Sequence, residues 1–368
     1  MPKIHTLTGL RFLAAFYVFA FHVHLPMHTP STWLPSWMQT IISQGFLGVT
    51  TFFVLSGFVL TYSHLKDFPT AEVPQVSYWG RFLYKRLARL YPAFLAGWLA
   101  SLLLSLRLHN PPTWWLALMS ATFTQTYFFR IAMRWYDIGA WSVANEWFFY
   151  LLFPLLLPVA LHYLRSSRAV AVALAGVIAL QAGLSLAIYL NPAWNQQLNF
   201  YCFPPARLPE FLAGILIGLG VLRFGWRVPA WVAMLAVVVE LVWLAYAPSA
   251  FSQNRLAHHV TLVPVLVGLL IALAQPQQSP MFSWLATRPM QYLGKISYCF
   301  YIAQIPLLVL LDALLNKDIV QHTSALVLPV GLLINLGAAA VVHHVVEKPA
   351  HTWLMRRYSH PALQASTT

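Results

Sequence analysis

Charge is scarce in this 368-residue chain. Asp, Glu, Lys and Arg together make up 8% of it, where a soluble domain carries roughly 25%. Nine residues are acidic against 22 Lys and Arg, and 59% of the chain is hydrophobic. That balance excludes a water-soluble globular domain. An all-α, polytopic membrane protein is expected, because helices satisfy their own backbone polar groups in lipid. Cysteine is nearly missing as well. Cys202 and Cys299 lie in different segments and form no C-x-x-C, so neither a disulfide framework nor a zinc site is indicated. No linker rich in Gly, Pro or Ser marks off a second domain, and no internal repeat is visible. The expectation is one integral-membrane domain over residues 1–350 and a short cytoplasmic C-terminal tail over 351–368. A cleaved signal peptide is not expected, since Arg11 interrupts the first apolar run and no small-residue cleavage site follows before His22 and His24. The net charge of +13 does not point to nucleic acid. The cations sit in short segments between apolar runs, where they set membrane orientation.

What is present is a series of long apolar runs. Spans are expected near Leu7–Leu25, Phe46–Ser63, Pro92–Leu108, Asn145–Tyr163, Ala169–Leu190, Leu208–Leu222, Pro229–Ala247, Leu256–Ala274, Ile296–Leu315 and Ala325–Val346. An eleventh candidate, Trp114–Phe129, is shorter, rich in Thr and Gln, and bracketed by Pro111-Pro112 and Arg130. Charge decides its status. If it does not cross, Lys66, Arg81, Lys85, Arg86, Arg89, Arg165, Arg168, Arg223, Arg227, Arg288, Lys295, Lys348, Arg356 and Arg357 all fall on the side of the N-terminus. If it crosses, most of that bias disappears. The positive-inside rule therefore favours ten spans with both termini cytoplasmic, and Trp114–Phe129 as a re-entrant or interfacial piece.

Several ionisable residues stand where lipid should make them costly. Arg11 and His22 are eleven residues apart in the first span, about three helical turns, so they share one face roughly 16 Å apart. Such residues usually face a bundle interior or polar cavity, although each alone could snorkel to an interface. Arg86 and Arg89 lie three apart on a basic amphipathic helix running into the third span, placed to grip one anion. Spacing alone does not separate a nucleotide phosphate from a lipid headgroup. Glu146 opens the fourth expected span near the level of His22, where it could orient the imidazole, contact an acceptor hydroxyl, or compensate the helix dipole. Arg207 and Glu210 are spaced for an i,i+3 ion pair of structural character. Glu240, mid-span, has no obvious partner. The neighbouring pairs His22/His24, His258/His259 and His343/His344 diverge around a helix and present no chelating face, so no metal is expected.

Seven motifs then occur together and in order. They are Arg11-x10-His22, Gly45-Phe-Leu-Gly48 with Phe52-Phe-Val-Leu-Ser56-Gly57-Phe58, Arg86-x-x-Arg89, Trp141-Ser142-Val-Ala-Asn-Glu146, Arg207-Leu-Pro-Glu210-Phe211, Gly294-Lys-Ile-Ser-Tyr298 and Glu347-Lys-Pro349. In order and spacing this series resembles the acyltransferase type 3 family of integral-membrane acyltransferases, over nearly the whole chain. The resemblance implies about ten transmembrane helices around a central pore, with short amphipathic and re-entrant helices beside them. It implies an acyl-CoA-dependent O-acyltransferase acting on a sugar hydroxyl of a surface glycan or its lipid-linked precursor. By the same resemblance His22 is catalytic with Glu146 beside it, and Arg11, Arg86 and Arg89 bind acyl-CoA. Ser56, Gly57, Trp141, Ser142, Arg207, Glu210 and Tyr298 support the site. The chain departs from the family's habit at Trp147, commonly a second acid, and at Gln304, commonly a His.

These implications join into a mechanism. Acetyl-CoA docks its phosphates at Arg86 and Arg89, threads upward past Arg11 and presents its thioester to His22, which acts as general base or as nucleophile. No permanently bound cofactor and no nucleic acid are expected. The expected partners are the acyl-CoA donor, the glycan or lipid-linked acceptor, membrane lipids and glycan-assembly proteins, in a bacterial inner membrane. The rival readings are a transporter or lipid-binding protein, whose intramembrane charges line a permeation path, and an acyltransferase acting on a lipid or small metabolite.

Overall fold

A computed structural model describes residues 4–24, 34–68, 76–128, 130–191, 193–194, 199–246, 255–275, 279–314 and 324–364. All of their regular structure is helical. The long helices are α1 (His5–His24), and, after a short α2 (Ser36–Ser43), α3 (Leu47–His64) and α4 (Val76–Arg107). Beyond another short helix, α5 (Trp114–Ala121), come α6 (Asp137–Tyr163) and α7 (Ser167–Leu190). They are followed by α8 (Pro204–Phe224), α9 (Ala230–Tyr246) and α10 (Arg255–Leu273). The last are α11 (Arg288–Leu314), α12 (Ser324–Val341) and α13 (Lys348–Gln364), a π-helical turn over Val342–Glu347 joining the final two. Among the described residues nine helices are long and apolar enough to cross a membrane, and the 17-residue α9 is a shorter apolar one. The chain is an all-α polytopic membrane protein. Its ten apolar helices correspond one to one with the expected runs.

Boundaries differ where polar residues sit inside a span. The fourth run was expected to open at Asn145, but α6 starts at Asp137, because Gly139 and Ser142 find tertiary hydrogen-bond partners and need no water. The basic amphipathic segment and the third span form one continuous helix, α4, passing straight through Pro92. Within the segment expected as a short C-terminal tail, residues 351–364 are helical, part of α13, which docks on α4 through the Tyr84 hydroxyl to the Leu354 carbonyl (2.9 Å) and stacked Tyr84 and Tyr358 rings. Glu240 has a partner after all, accepting from Thr261 on the neighbouring α10 at 2.9 Å.

Up-and-down packing defines two ends. Phe46, just before α3, packs its ring 5.6 Å from Phe21 near the end of α1, and Gly294 of α11 meets the Thr8 backbone near its start. Arg11 therefore marks one end and His22 the other. At the Arg11 end Arg86 reaches His64, Arg223 reaches the Leu161 carbonyl, and Trp226 donates to Ser167. Loops rich in Lys and Arg gather there. Trp114–Phe128 does not cross. Starting from the His22 end, α5 runs down α4, with Trp98 donating to the Ala117 carbonyl and Tyr91 to that of Ala121, and Phe123 packs on Phe94. The chain then returns through a 3-10 turn, Gln125–Tyr127, to α6 at the end it left. This is a re-entrant hairpin, and carbonyls at its turn are met within the protein: Ala121 by Tyr91, Leu118 by Thr122 and Met119 by Thr124.

The interior belongs to α1, α3 and α8. Ala15 and Phe19 of α1, Val54 and Phe58 of α3, and Phe211 and Ile217 of α8 are fully buried. By contrast α7 and α9 turn apolar side chains such as Leu180 and Trp231 outward, as helices facing lipid do.

Candidate active site

At the Arg11 end lies a narrow cavity of about 90 Å³ between α1, α3, α4, α6 and α11. It unites seven of the residues expected from sequence: Arg11, Ser56, Arg86, Arg89, Ser142, Glu146 and Tyr298. Lys295 and Glu347 complete its charged lining, giving four cations against two carboxylates. An anion entering here meets a net positive wall with little water to screen it.

Arg86 is the better fixed of the two α4 arginines. Its Nη2 donates to His64 Nε2 at 2.6 Å, and its guanidinium lies over the Phe82 and Tyr150 rings, 5.2 and 5.9 Å from their centroids. Guanidinium only donates and an ionised carboxylate only accepts. His64 therefore accepts at Nε2 and donates from Nδ1 to Asp67 (2.7 Å), where Tyr78 also donates at 3.1 Å. Arg89, one turn on, keeps an exposed side chain.

One face of α6 forms the cavity's polar spine. Gly139, Ser142, Glu146 and Tyr150 recur at helical spacing and so lie in a single file. Glu146 accepts from Ser56 at 3.2 Å and from the Tyr150 hydroxyl. Nearer the His22 end the Tyr301 hydroxyl donates to the Gly139 carbonyl. Having one proton to give, it accepts from Ser142 at 2.6 Å. Tyr298 pins α11 to α4 by donating to the Leu90 carbonyl (2.9 Å).

His22 lies beyond this spine. It is 9% exposed, and its Cε1 is 3.6 Å from where a Cβ on Gly139 would stand. Glu146 is seven residues, roughly 10 Å, further along α6. The expected placement of Glu146 level with His22 is thus not met; its partners are Ser56 and Tyr150.

The remaining expected residues lie elsewhere. Gly57 sits at the crossing of α3 and α8. Trp141, Arg207 and Glu210 form a buried strut at the His22 end. Arg207, with no exposure, binds Glu210 Oε2 through Nη2 (2.9 Å) and the Tyr201 carbonyl through Nη1 (3.1 Å). Phe53, Trp141 and Tyr201 surround its guanidinium with rings 5.2 to 5.5 Å away. Gln181 donates to Glu210 Oε1 at 2.8 Å, so the carboxylate is satisfied on both oxygens.

Sequence reasoning missed Tyr150, Tyr301 and the His64–Asp67 pair, although helical spacing from Glu146, Tyr298 and the end of α3 could have flagged them. It also missed a cluster in which only the i,i+4 spacing of His343 and Glu347 was visible. Cys299 Sγ (3.0 Å) and His343 Nδ1 (2.6 Å) both meet Glu347 Oε2, and the ligand-type atoms of the three lie within 4.8 Å of one another. The π-helical turn turns His343 and Glu347 toward α11, and Glu347 also reaches the cavity wall.

The profile described as an acyltransferase domain, Acyl_transf_3, matches residues 4–344. The chain belongs to the acyltransferase type 3 family. Among the relatives of this family member, the acyltransferase MdmB of Streptomyces mycarofaciens is 27% identical over 96% of the chain and 93% of its own length. The O-acetyltransferase OatA of Staphylococcus aureus is 25% identical over 83% of the chain, which spans only 51% of that protein. No solved structure matches. At the two positions that depart from the family's habit, Trp147 packs on Phe123 of the re-entrant hairpin, and Gln304 is fully buried on α11.

Proposed function

We propose that the protein is a membrane O-acyltransferase that takes an acetyl group from cytoplasmic acetyl-CoA and passes it, at His22, to a hydroxyl of an extracytoplasmic glycan or lipid-linked glycan precursor. The observation that carries this is the positive cavity leading from Arg86 and Arg89, past Arg11, to the Tyr301–Gly139 contact beside His22. Its cations suit the phosphates of CoA, and its narrowness suits a pantetheine arm. His22 either takes the acceptor's proton as its oxygen attacks the thioester, or takes the acetyl group itself and yields it to the acceptor. In both routes the C–S bond breaks and CoA leaves as the thiol. Glu146, bound to Ser56 and Tyr150, holds the middle of the path polar rather than tuning His22 by contact. The names of MdmB and OatA support acyl and O-acetyl transfer. Mass spectrometry of cell-surface glycans with and without the gene tests the reading, through a mass shift of one acetyl group. A transporter would consume no acetyl-CoA.

Removing either α4 arginine should weaken acetyl-CoA binding. Arg86→Ala loses a guanidinium already held in place, so the larger effect is expected there, about tenfold or more. Lys at either position should rescue only in part, because an ammonium lacks the planar fork. Titration of purified protein with acetyl-CoA gives the answer. Unchanged affinity in both alanine variants would return this helix to a surface-lipid role.

The reading also needs the Arg11 end to be cytoplasmic, as the concentration of cations there favours. Cysteines introduced singly as Arg130→Cys and Ser166→Cys, in a background lacking Cys202 and Cys299, report it on intact cells. A membrane-impermeant thiol reagent should label position 130 and spare 166. The reverse pattern would invert donor and acceptor sides.

A further inference from the structure

A second, larger cavity opens at the His22 end. This groove of about 740 Å³ runs between the last turns of α4, the start of α5, the turn before α6, and the middle of α11. That volume falls within the range that takes a small organic ligand. Ile305 of α11 is part of its lining. The Cγ1 of Ile305 occupies the space a Gly139 Cβ would claim, and His22 Cε1 lies 3.6 Å from the same point. The donor cavity ends at Tyr301 and Ser142, which are hydrogen-bonded to each other and, through Tyr301, to the Gly139 carbonyl. The two cavities therefore approach one another at Gly139, with His22 beside the partition.

We propose that this groove binds the acyl acceptor, and that the acceptor is an amphiphile: a hydroxylated head carried on an apolar body. This rests on the transferase reading above and names the substrate class for it. The lining decides the class. A free glycan needs a dense set of donors and acceptors, since each hydroxyl stripped of water must be paired. Most of the groove's lining surface is apolar, Ser105 and Trp135 are already bonded to each other, and among the described residues no carboxylate lines it. Its rim is apolar, with Leu108, Trp115 and Val309 all 40 to 44% exposed on the flank between α4, α5 and α11. A molecule partitioned into the bilayer meets this rim first. The polar groups are placed for a head rather than a chain. Arg134 stands as the one cation of the lining. Ser101 is 6% exposed, and its hydroxyl makes no hydrogen bond among the described residues, although it lies on the groove wall. A buried hydroxyl in that state is what an acceptor oxygen would satisfy.

Cells producing the protein are given a short pulse of radiolabelled acetate, then extracted with chloroform and methanol. Gene-dependent label should enter an organic-extractable compound first. Val309→Trp and Leu108→Trp, which fill the exposed rim, should each lower it tenfold or more, with acetyl-CoA affinity of the purified variants unchanged. Retained affinity also reports that the variants fold. Label passing straight into water-soluble glycan would overturn the amphiphile while leaving the transferase intact. Undiminished labelling in both tryptophan variants would overturn the groove as its site. No gene-dependent label at all would sink the transferase reading and this inference with it.

Discussion

Replacing His22 with alanine should lower acetyl transfer by a factor of about 10² to 10⁴ if the imidazole is a general base, and further if it is a nucleophile. Acetyl-CoA affinity should stay close to that of the native protein, because the cations proposed to hold the donor lie around a cavity that His22 does not line. A loss confined to turnover is the signature of a group acting in the transition state. Release of CoA thiol from acetyl-CoA by protein in lipid nanodiscs, with excess acceptor extract, measures it. His162→Ala, at an exposed position of α6 far from the Gly139 contact, is the matched control and should turn over normally. Acid quenching of the native protein with donor alone then separates the two routes. An acetylated peptide containing His22 marks the nucleophile, and its absence with continued turnover marks the base. Turnover in His22→Ala equal to the native rate would remove His22 from the chemistry altogether.

The spans were legible because lipid leaves the backbone few options. Any run long enough and apolar enough must be helical. Their ends were not legible, because polar residues inside a span look like its edge until their partners are known. Gly139 and Ser142 made α6 appear to start late, and only Tyr301, more than a hundred and fifty residues away, shows why they belong within it. That Trp114–Phe129 does not span was legible from charge, since the distribution of Lys and Arg constrains every later loop at once; whether it re-enters or lies at the interface was not. Helical spacing placed Arg86 and Arg89 on a common face correctly. It could not reveal that His64 and Tyr150 fix Arg86 while Arg89 stays exposed, since those contacts join three helices. The level of Glu146 was misjudged for the same reason as the start of α6.

The adjacent residues Ser56 and Gly57, one motif in the sequence, divide into two roles that substitution should separate. A Cβ on Gly57 would overlap the Phe211 carbonyl oxygen and come within 3.0 Å of the Ile215 nitrogen, and one on Gly214 would overlap the Val54 carbonyl. Helices α3 and α8 thus touch backbone to backbone, as small residues allow membrane helices to do. The obstacle is main chain and cannot rotate aside, so Gly57→Ala must push the helices apart. Overpacking alone costs about 1–3 kcal/mol. Here α3 also carries Thr50, hydrogen-bonded to Arg207, and Arg207 and Glu210 stand on α8. Separation would take the Thr50 hydroxyl from Arg207 and leave buried polar groups short of a partner, at about 1–3 kcal/mol more. Together these costs are a large fraction of the stability of many proteins. Gly57→Ala is therefore expected to lose most folded protein, seen as collapse of the monodisperse peak in detergent and a large fall in Tm. Ser56→Ala, which deletes only a hydroxyl bonded to Glu146, should keep Tm within a few degrees and show its effect in turnover. A native-like Tm for Gly57→Ala would mean that α3 and α8 do not approach this closely.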